Sequence, residues 1–409
     1  PTLPAGAGPF DARWLTRHPF TTFATGPTGS EFEGFGITAR AEYGTRVVLT
    51  SISAYRQFDA AFGRDPDSSP QVIVDTANLL DHEQFSQELR LGDDDGAFEW
   101  VAGLYACGEN GSDRGAAPFI DETFRIVNRL GLGCTLLPGA TGLPVPLFLS
   151  PCPNIFRIDF AGDGVRVENR SFAAFGEGTF HMKDWLLVSG GLRWTRDRKM
   201  IDVSGFLVGG MPVAPDPVAR RSFSRFTPRL TVEAALPSDM FAYASWSTGF
   251  KSGGFNQRYG APIAAPTSFE PEKVRSFELG LRMRPRGRRP GLRLTGFWAD
   301  YDDIQLVVFD TGIPRTINAA AGRTRGIEIE GQWQPVPGLT LAGSYGWLDA
   351  GFTRLDPAII GESGLPVVNP VQLDDRFVNS PRHSIALSAE YLDNDVADLG
   401  ELLMRLDVS

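Results

Sequence analysis

Apolar side chains recur at every second position along most of this chain. The segment 325–349 shows the pattern most clearly, because an apolar parity and a polar parity run through it side by side. The apolar parity consists of Ile327, Ile329, Trp333, Leu339, Leu341, Tyr345 and Trp347, and the polar parity of Glu328, Glu330, Gln332, Thr340 and Ser344. Successive side chains of a β-strand point to opposite faces of a sheet, so this period of two predicts strands.

The same alternation predicts about fourteen strands. They span 35–43, 46–58, 83–91, 98–106, 168–180, 185–195, 223–236, 240–250, 274–284, 291–309, 316–334, 339–353, 383–391 and 401–409. Short turns alternate with long links rich in Pro and Gly, which span 59–82, 107–167, 197–222, 251–272 and 351–380, whereas the link 310–314 is brief. Short connections at one end and long ones at the other are typical of an antiparallel up-and-down meander.

Strand length and the charges on the polar parity bear on the solvent around this sheet. Strands of soluble sandwiches have about five or six residues, whereas a strand that crosses a membrane needs about nine to eleven. Several aromatic residues lie near predicted strand ends, as in the aromatic girdles of membrane barrels: Trp185, Trp194, Trp298, Trp333, Trp347 and Tyr391. We therefore predict an all-β, up-and-down transmembrane β-barrel with lipid outside and water inside. A soluble sheet, with its polar parity in bulk water, is the alternative.

Composition agrees with strands and turns and excludes some functions. The 409 residues include 46 Gly, 30 Pro and 29 Phe but only 6 Met, and no run of about 18 apolar residues could form a membrane-spanning helix. The formal net charge of -10 argues against a nucleic-acid partner, because such partners are bound through Lys and Arg on phosphates.

Six segments resemble the barrel portion of TonB-dependent outer-membrane receptors of Gram-negative bacteria, and of the ferric-siderophore class in particular. They are 85–106, 226–258, 269–282, 294–306, 317–350 and 379–391, in the order of the family. The specific signal is the combination of "GFKSGGFN", "EPEKVRSFELG" and "GIEIEG". The resemblance implies an outer-membrane receptor that imports a ferric siderophore or a similar bulky nutrient, energised through the TonB system.

The family barrel has 22 strands and carries an N-terminal plug domain. About fourteen strands are visible here, and no secretory signal precedes Pro1. We therefore expect residues 1–409 to be a partial barrel domain, without the plug, the signal peptide and the C-terminal strands. The expected partners are the TonB complex, through the missing N-terminal region, a siderophore-like ligand and outer-membrane lipid, and the expected state is a monomer.

The chain offers little catalytic or metal-binding chemistry. The four histidines lack partners at metal-ligand spacing, and "DDDG" (Asp93 to Gly96) lacks the later ligands of a calcium loop, so it is interpreted as a turn. His383 beside Ser384 is the weak basis for an outer-membrane hydrolase, which stays open as an alternative function. A soluble or surface-attached binding or adhesion protein is the other. We predict no catalytic residue, no metal and no resident cofactor; an iron chelate would be cargo.

The candidate ligand contacts lie in "GFKSGGFNQR". Lys251, Asn256 and Arg258 follow a predicted strand at the outer rim, where a cation could meet an anionic iron chelate. The alternative is a rim loop that only packs on its neighbours. Cys134 and Cys152 lie between loop prolines and form the candidate disulfide, leaving Cys107 unpaired at the end of a strand; three free thiols are the alternative.

Overall fold

The computed structural model describes much of the chain. The described residues are 28–65, 75–96, 98–117, 158–160, 164–208, 210–259, 263–285, 290–310, 313–356, 359–360, 366–367, 371–393 and 400–408. Among them, no helix has the length and apolar character needed to cross a membrane.

The regular elements of the described residues are β-strands. In chain order they are β1 (Gly29–Tyr43), β2 (Val48–Arg64), β3 (Thr76–Asp93), β4 (Phe98–Ala117), β5 (Ile158–Phe160), β6 (Val165–Lys183), β7 (Leu186–Asp202), β8 (Phe206–Val208), β9 (Met211–Pro212), β10 (Val218–Leu236), β11 (Met240–Lys251), β12 (Gly254–Phe255), β13 (Ser268–Phe269), β14 (Glu272–Met283), β15 (Gly291–Asp310), β16 (Ile313–Val336), β17 (Leu339–Leu355), β18 (Ile359–Ile360), β19 (Pro366–Val367), β20 (His383–Asp393) and β21 (Leu402–Val408).

Fourteen long strands build one antiparallel sheet, in which each pairs with the next long strand of the chain. The spatial order is β1, β2, β3, β4, β6, β7, β10, β11, β14, β15, β16, β17, β20 and β21. The predicted up-and-down meander is confirmed. Within the described pairings, β1 and β21 each bond a neighbour on one side only. Inside a membrane, the backbone groups of their other sides require hydrogen-bond partners, either from each other or from further strands.

The register of the β16–β17 hairpin confirms the two faces predicted for segment 325–349. Ile327 is opposite Trp347, whereas Glu328 is opposite Gly346. The apolar parity is therefore continuous across both strands, and so is the polar one. The hairpin closes at Gly338, which has φ of +83°, and a Cβ there would lie 2.5 Å from the backbone oxygen of Leu392 in β20.

Strands extend further towards the long connections than the alternation predicted. β2 ends at Arg64 instead of 58, β7 at Asp202 instead of 195, and β4 at Ala117 instead of 106. Cys107, expected at a strand end, therefore lies within β4. The physical reason is that both faces of a strand meet water or loops beyond the membrane, so apolar alternation lapses while backbone pairing continues.

The sheet is strongly curved, as contacts of one connection show. We call residues 252–259 and 263–271, between β11 and β14, the mouth loop. Its Asn256 bonds Thr316 of β16, and its Arg258 pairs with Asp113 of β4. Six strands separate β4 from β16, which amounts to about 34 Å in a flat sheet with strands ~4.8 Å apart. Two residues and their side chains reach only about 20 Å, so the sheet must bend around the mouth loop.

The tryptophans predicted for the girdles fall at two levels. Trp185 and Trp333 lie beside short turns, whereas Trp194 and Trp298 lie about nine strand residues away towards the long connections. That separation corresponds to roughly 20 Å along the barrel axis for tilted strands. The two levels match the borders of a hydrocarbon layer.

Candidate ligand-binding mouth

A small hydrophobic core covers the inward face of the sheet at the long-connection end. Its buried members are Ile158, Val165, Ile201, Val203, Phe206, Val208, Val213, Ala214 and Tyr259. Val165 and Ile201 belong to β6 and β7, on the face opposite the exposed Phe172 and Leu192. The other members therefore lie over the interior. We call Ile158, Val203, Phe206, Val208, Val213 and Ala214 the loop cap.

The mouth loop is fixed to the loop cap by Tyr259, which is fully buried. The ring of Tyr259 packs edge-on against Phe206, with centroids 5.8 Å apart, and its hydroxyl donates to the carbonyl of Asn256 at 2.5 Å. The backbone N–H of Ile263 donates to the carbonyl of Val213 at 2.7 Å. These bonds keep the mouth loop over the interior and away from the outer surface.

Asn256 joins the mouth loop to the tall β15–β16 hairpin. Its side-chain amide donates to Thr267 Oγ1 at 3.1 Å and to the carbonyl of Thr316 at 3.2 Å, and its Oδ1 accepts from the Thr316 N–H at 2.7 Å. The residue is 5% exposed. Asn256 therefore orders the loop in this structure, and its predicted ligand contact stays a prediction.

Arg258 joins the mouth loop to the opposite wall. Its guanidinium pairs with the carboxylate of Asp113 in β4, which also accepts from Asn78 Nδ2 at 2.9 Å. The side chain of Asp113 is only 10% exposed and that of Arg258 is 29% exposed. Because both charges are largely withdrawn from water, the pair holds the loop across the mouth. Sequence reasoning missed Asp113 because alternation ends before it.

Lys251 differs from these two anchors because its side chain is exposed, and its predicted ligand contact stays a prediction. It is the exposed last residue of β11, on the inward parity, and no ion pair is found for it within the described residues. The β10–β11 pairing ends at Arg229 opposite Ser247, and Arg225 and Lys251 each lie four residues beyond this pair, towards the long connections. The Nε atom of Arg225 and the hydroxyl oxygen of Ser252 are both buried, and neither has a hydrogen-bond partner among the described residues.

We call Arg225, Lys251 and Ser252 the inner-mouth cluster. Four inward arginines lower in the barrel contrast with it, because each has a carboxylate partner. These pairs are Arg90–Glu88, Arg229–Glu177, Arg293–Glu330 and Arg405–Glu390. The period-two pattern of β10 could have identified Arg225 from the sequence, because Arg225 and Arg229 share the parity that faces inward.

The interior below the loop cap is polar. A recess of about 580 Å³ opens on the inward face of β10, β11, β14, β15 and β16. Its lining includes Glu233, Tyr243, Glu278, Arg293 and Glu328, and the hydroxyl of Tyr243 donates to Glu278. The wall thus offers water-compatible side chains along a path from the inner-mouth cluster towards the short turns.

The other singled-out residues do not assemble into a reactive site. His383 contacts the hydroxyl of Tyr345 at 3.0 Å on the outward face, and Ser384 follows on the opposite face of β20. The hydrolase alternative therefore lacks its paired imidazole and hydroxyl. The N–H of Asp95 bonds Asp93 at 3.0 Å, as in a turn.

The described residues also bear on the metal and cysteine predictions. Within the described ranges, no group of three or more His, Cys, Asp or Glu residues is arranged to hold a metal ion. Cys107 is a free thiol. Cys134 and Cys152, the candidate disulfide, lie outside the described residues.

Comparisons with known proteins agree with this architecture. The family model described as "TonB dependent receptor-like, beta-barrel" matches residues 3–408. The pesticin receptor of Yersinia enterocolitica is 26% identical over 168 residues, which cover 41% of this chain and 24% of that protein. The ferric yersiniabactin uptake receptor FyuA from Yersinia pestis aligns with a TM-score of 0.69 at 18% identity, covering 94% of this chain and 50% of that one.

A second solved structure, the siderophore receptor PiuA from Acinetobacter baumannii, aligns with a TM-score of 0.61 at 15% identity, covering 88% of this chain and 52% of that one. The chain thus spans about half the length of the solved structures that it matches.

Proposed function

The chain belongs to the TonB-dependent receptor-like β-barrel family, whose members are transport receptors of the Gram-negative outer membrane, and from this premise we propose that it imports an anionic ferric siderophore. The iron chelate is cargo, and the protein needs no resident cofactor. Transport is energised through TonB, the receptor acts as a monomer, and no bond of the cargo is broken.

The observation that carries this proposal is the inner-mouth cluster. Arg225 and Lys251 face inward next to the start of the mouth loop without carboxylate partners in the described part of the chain, whereas Arg229 and Arg293, deeper in the barrel, are each paired with a carboxylate. A cation pair left uncompensated at the entrance attracts an anion and supplies donors when it arrives. The curated and structural relatives include receptors named for pesticin and for ferric yersiniabactin, which supports a ferric chelate as the cargo.

The anchors of the mouth loop suggest how cargo is captured. Asn256 and Arg258 hold the loop against opposite walls, and the loop begins at Ser252, directly after Lys251. An anion that binds Arg225 and Lys251 would sit between the loop and the wall. Capture is therefore coupled to the position of the mouth loop, and release towards the periplasm follows the polar interior.

Binding by the complete receptor tests the role of the cations. The probes are ferric chelates of different net charge, one trianionic and one neutral, titrated against tryptophan fluorescence. The double variant Arg225→Gln/Lys251→Gln should bind the trianionic chelate about tenfold more weakly, because each partly exposed charge contributes ~0.5–1 kcal/mol. The neutral chelate should bind as before.

Lys183→Gln is the matched control, because Lys183 is a cation at the opposite, short-turn end of β6. Unchanged binding of the trianionic chelate by the double variant would refute the assignment of the cluster. Cellular uptake of ⁵⁵Fe from a panel of siderophores identifies the cargo, and loss of uptake with retained binding in cells that lack TonB tests the energy source. Uptake that continues without TonB would contradict the mechanism.

A further inference from the structure

The outward face of β6, β7 and β10 carries an aromatic row. Trp194 of β7 is opposite Phe226 of β10 in the register, and its ring lies 6.0 Å from that of Phe172 in β6. The indole N–H of Trp194 donates to Ser224 at 2.9 Å. These residues share the parity of the exposed Leu192 and occupy the upper level of tryptophans, so they mark the outer border of the hydrocarbon layer.

Exposed arginines follow directly beyond this aromatic row. On the same outward parity, Arg196 and Arg198 lie two and four residues beyond Trp194, which places them about 5 and 10 Å further from the hydrocarbon on a tilted strand. Arg170 of β6 is directly opposite Arg198, and Arg220 of β10 is opposite Met200. We call Arg170, Arg196, Arg198 and Arg220 the arginine patch.

The arginine patch is only weakly compensated by the protein's own acids. Arg170 pairs with Glu168, but no carboxylate partner is found for Arg196, Arg198 or Arg220 in the part of the chain that the structure describes. Two like charges directly opposite each other on neighbouring strands are destabilising. On a chain of net charge -10, such a concentration of unpaired cations indicates a surface that meets anions from outside the chain.

Another sector at the same level shows the ordinary arrangement. On β14–β17, the outward arginines are each paired with a carboxylate. The pairs are Arg275–Asp302 at 3.1 Å, Arg323–Asp300 at 2.7 Å and Arg325–Asp349 at 2.8 Å. Height above the membrane therefore does not by itself leave arginines unpaired, and the arginine patch is a local property of β6, β7 and β10.

We propose that the arginine patch binds the phosphate groups of a phosphorylated glycolipid of the outer leaflet. Guanidinium groups bind phosphate oxygens in bidentate fashion, and they do so here at the height of lipid headgroups, directly above side chains that contact acyl chains. A recess of about 360 Å³ among Glu168, Arg170, Arg198, Met200, Arg220 and Ser222 offers space for one such group. The partner is thus held by charge above and by apolar contact below.

The test uses the complete receptor in detergent micelles and three purified glycolipid probes, a lipid A with two phosphates, one with a single phosphate and one without phosphate. Native mass spectrometry measures retention of each probe. The variant Arg196→Gln/Arg198→Gln/Arg220→Gln should bind the bisphosphorylated lipid at least tenfold more weakly than the wild type. The wild type should prefer two phosphates over one, and one over none.

The control is Arg275→Gln/Arg323→Gln/Arg325→Gln, which removes three arginines at the same height that are already paired. Heat-modifiable migration in gels verifies that both triple variants are folded. Equal lipid binding by the patch variant and the wild type would overturn the proposal, as would equal binding of the phosphate-free lipid. Competition by inorganic phosphate at matched phosphate concentration would indicate a free-anion site and would also overturn it. Siderophore binding is independent of these outcomes, because the cluster that we assign to it faces inward.

Discussion

Replacing Arg258 by Gln should release the mouth loop without unfolding the barrel. The variant removes the charge that pairs with Asp113 and leaves that carboxylate with the amide of Asn78 as a remaining donor. Breaking a fully buried pair costs ~3–5 kcal/mol, and an exposed pair contributes about 0–1 kcal/mol. With side chains 10% and 29% exposed, the pair belongs between these limits, at about 2 kcal/mol.

A loss of about 2 kcal/mol corresponds to roughly thirtyfold faster opening of the loop. Hydrogen exchange followed by mass spectrometry measures it, because peptides of the mouth loop and of β8 report opening while peptides of β14 and β15 report the barrel. Exchange should accelerate about thirtyfold in the peptides of the mouth loop and β8, and should stay unchanged in the peptides of β14 and β15.

Arg221→Gln supplies the matched control. Arg221 pairs with Glu270 of the same loop at 2.7 Å, but the two side chains are 40% and 55% exposed. Its loss should accelerate exchange less than about fivefold. Equal acceleration by the two variants, or no acceleration in Arg258→Gln, would show that burial of the Asp113 pair does not hold the loop.

Three further predictions concern the mouth and the outer surface. Gly253→Val should displace the mouth loop and increase its cleavage in limited proteolysis, because a Cβ there would lie 2.4 Å from a backbone oxygen; cleavage at the wild-type rate would contradict this. Asn256→Ala should have a similar effect, since it removes three hydrogen bonds of a buried side chain worth ~1 kcal/mol each, and unchanged hydrogen exchange would count against it. Asp300 lies in the headgroup layer, beyond the membrane-spanning part of β15. Partial burial acts to raise the pKa of Asp300, but hydrogen bonds from Arg323 and Trp298 outweigh this effect and hold the pKa below its ordinary value. The ionised form of Asp300 therefore contributes stability above about pH 4, and this stability is lost as the pH falls through the lowered pKa. Asp300→Asn should lower the melting temperature at pH 7, and the difference from the wild type should vanish in strong acid. A difference in melting temperature that does not depend on pH would refute the assignment.

The membrane-spanning part of the fold could be predicted because alternate side chains of each strand face lipid and water, which fixes the polarity of every second residue. Ile327 and Glu328 face different solvents, and the register with Trp347 and Gly346 confirms both. Where the strands rise above the membrane, this signal disappears, and the ends of β2, β4 and β7 were consequently predicted too early.

The mouth could be predicted only in part, for a related reason. Lys251, Asn256 and Arg258 were singled out because they belong to one motif, and all three lie at the long-connection end of the sheet, but their contact with a ligand stays a prediction. Their different environments depend on contacts distant in sequence, such as Arg258 with Asp113, which no local pattern encodes. The loop cap around Tyr259 is hidden likewise, because its apolar residues follow no period.

The most direct measurement of the central claim compares the solvents of the two sheet faces in the intact receptor. Nitroxide labels at Ile329 and Leu341 should collide mainly with dissolved oxygen, which concentrates in hydrocarbon, and labels at Glu328 and Ser344 should collide mainly with a water-soluble nickel chelate. Accessibility that alternates in this way along both strands agrees with lipid outside and a watery path for cargo within. Equal access of the nickel chelate to all four positions would contradict the account.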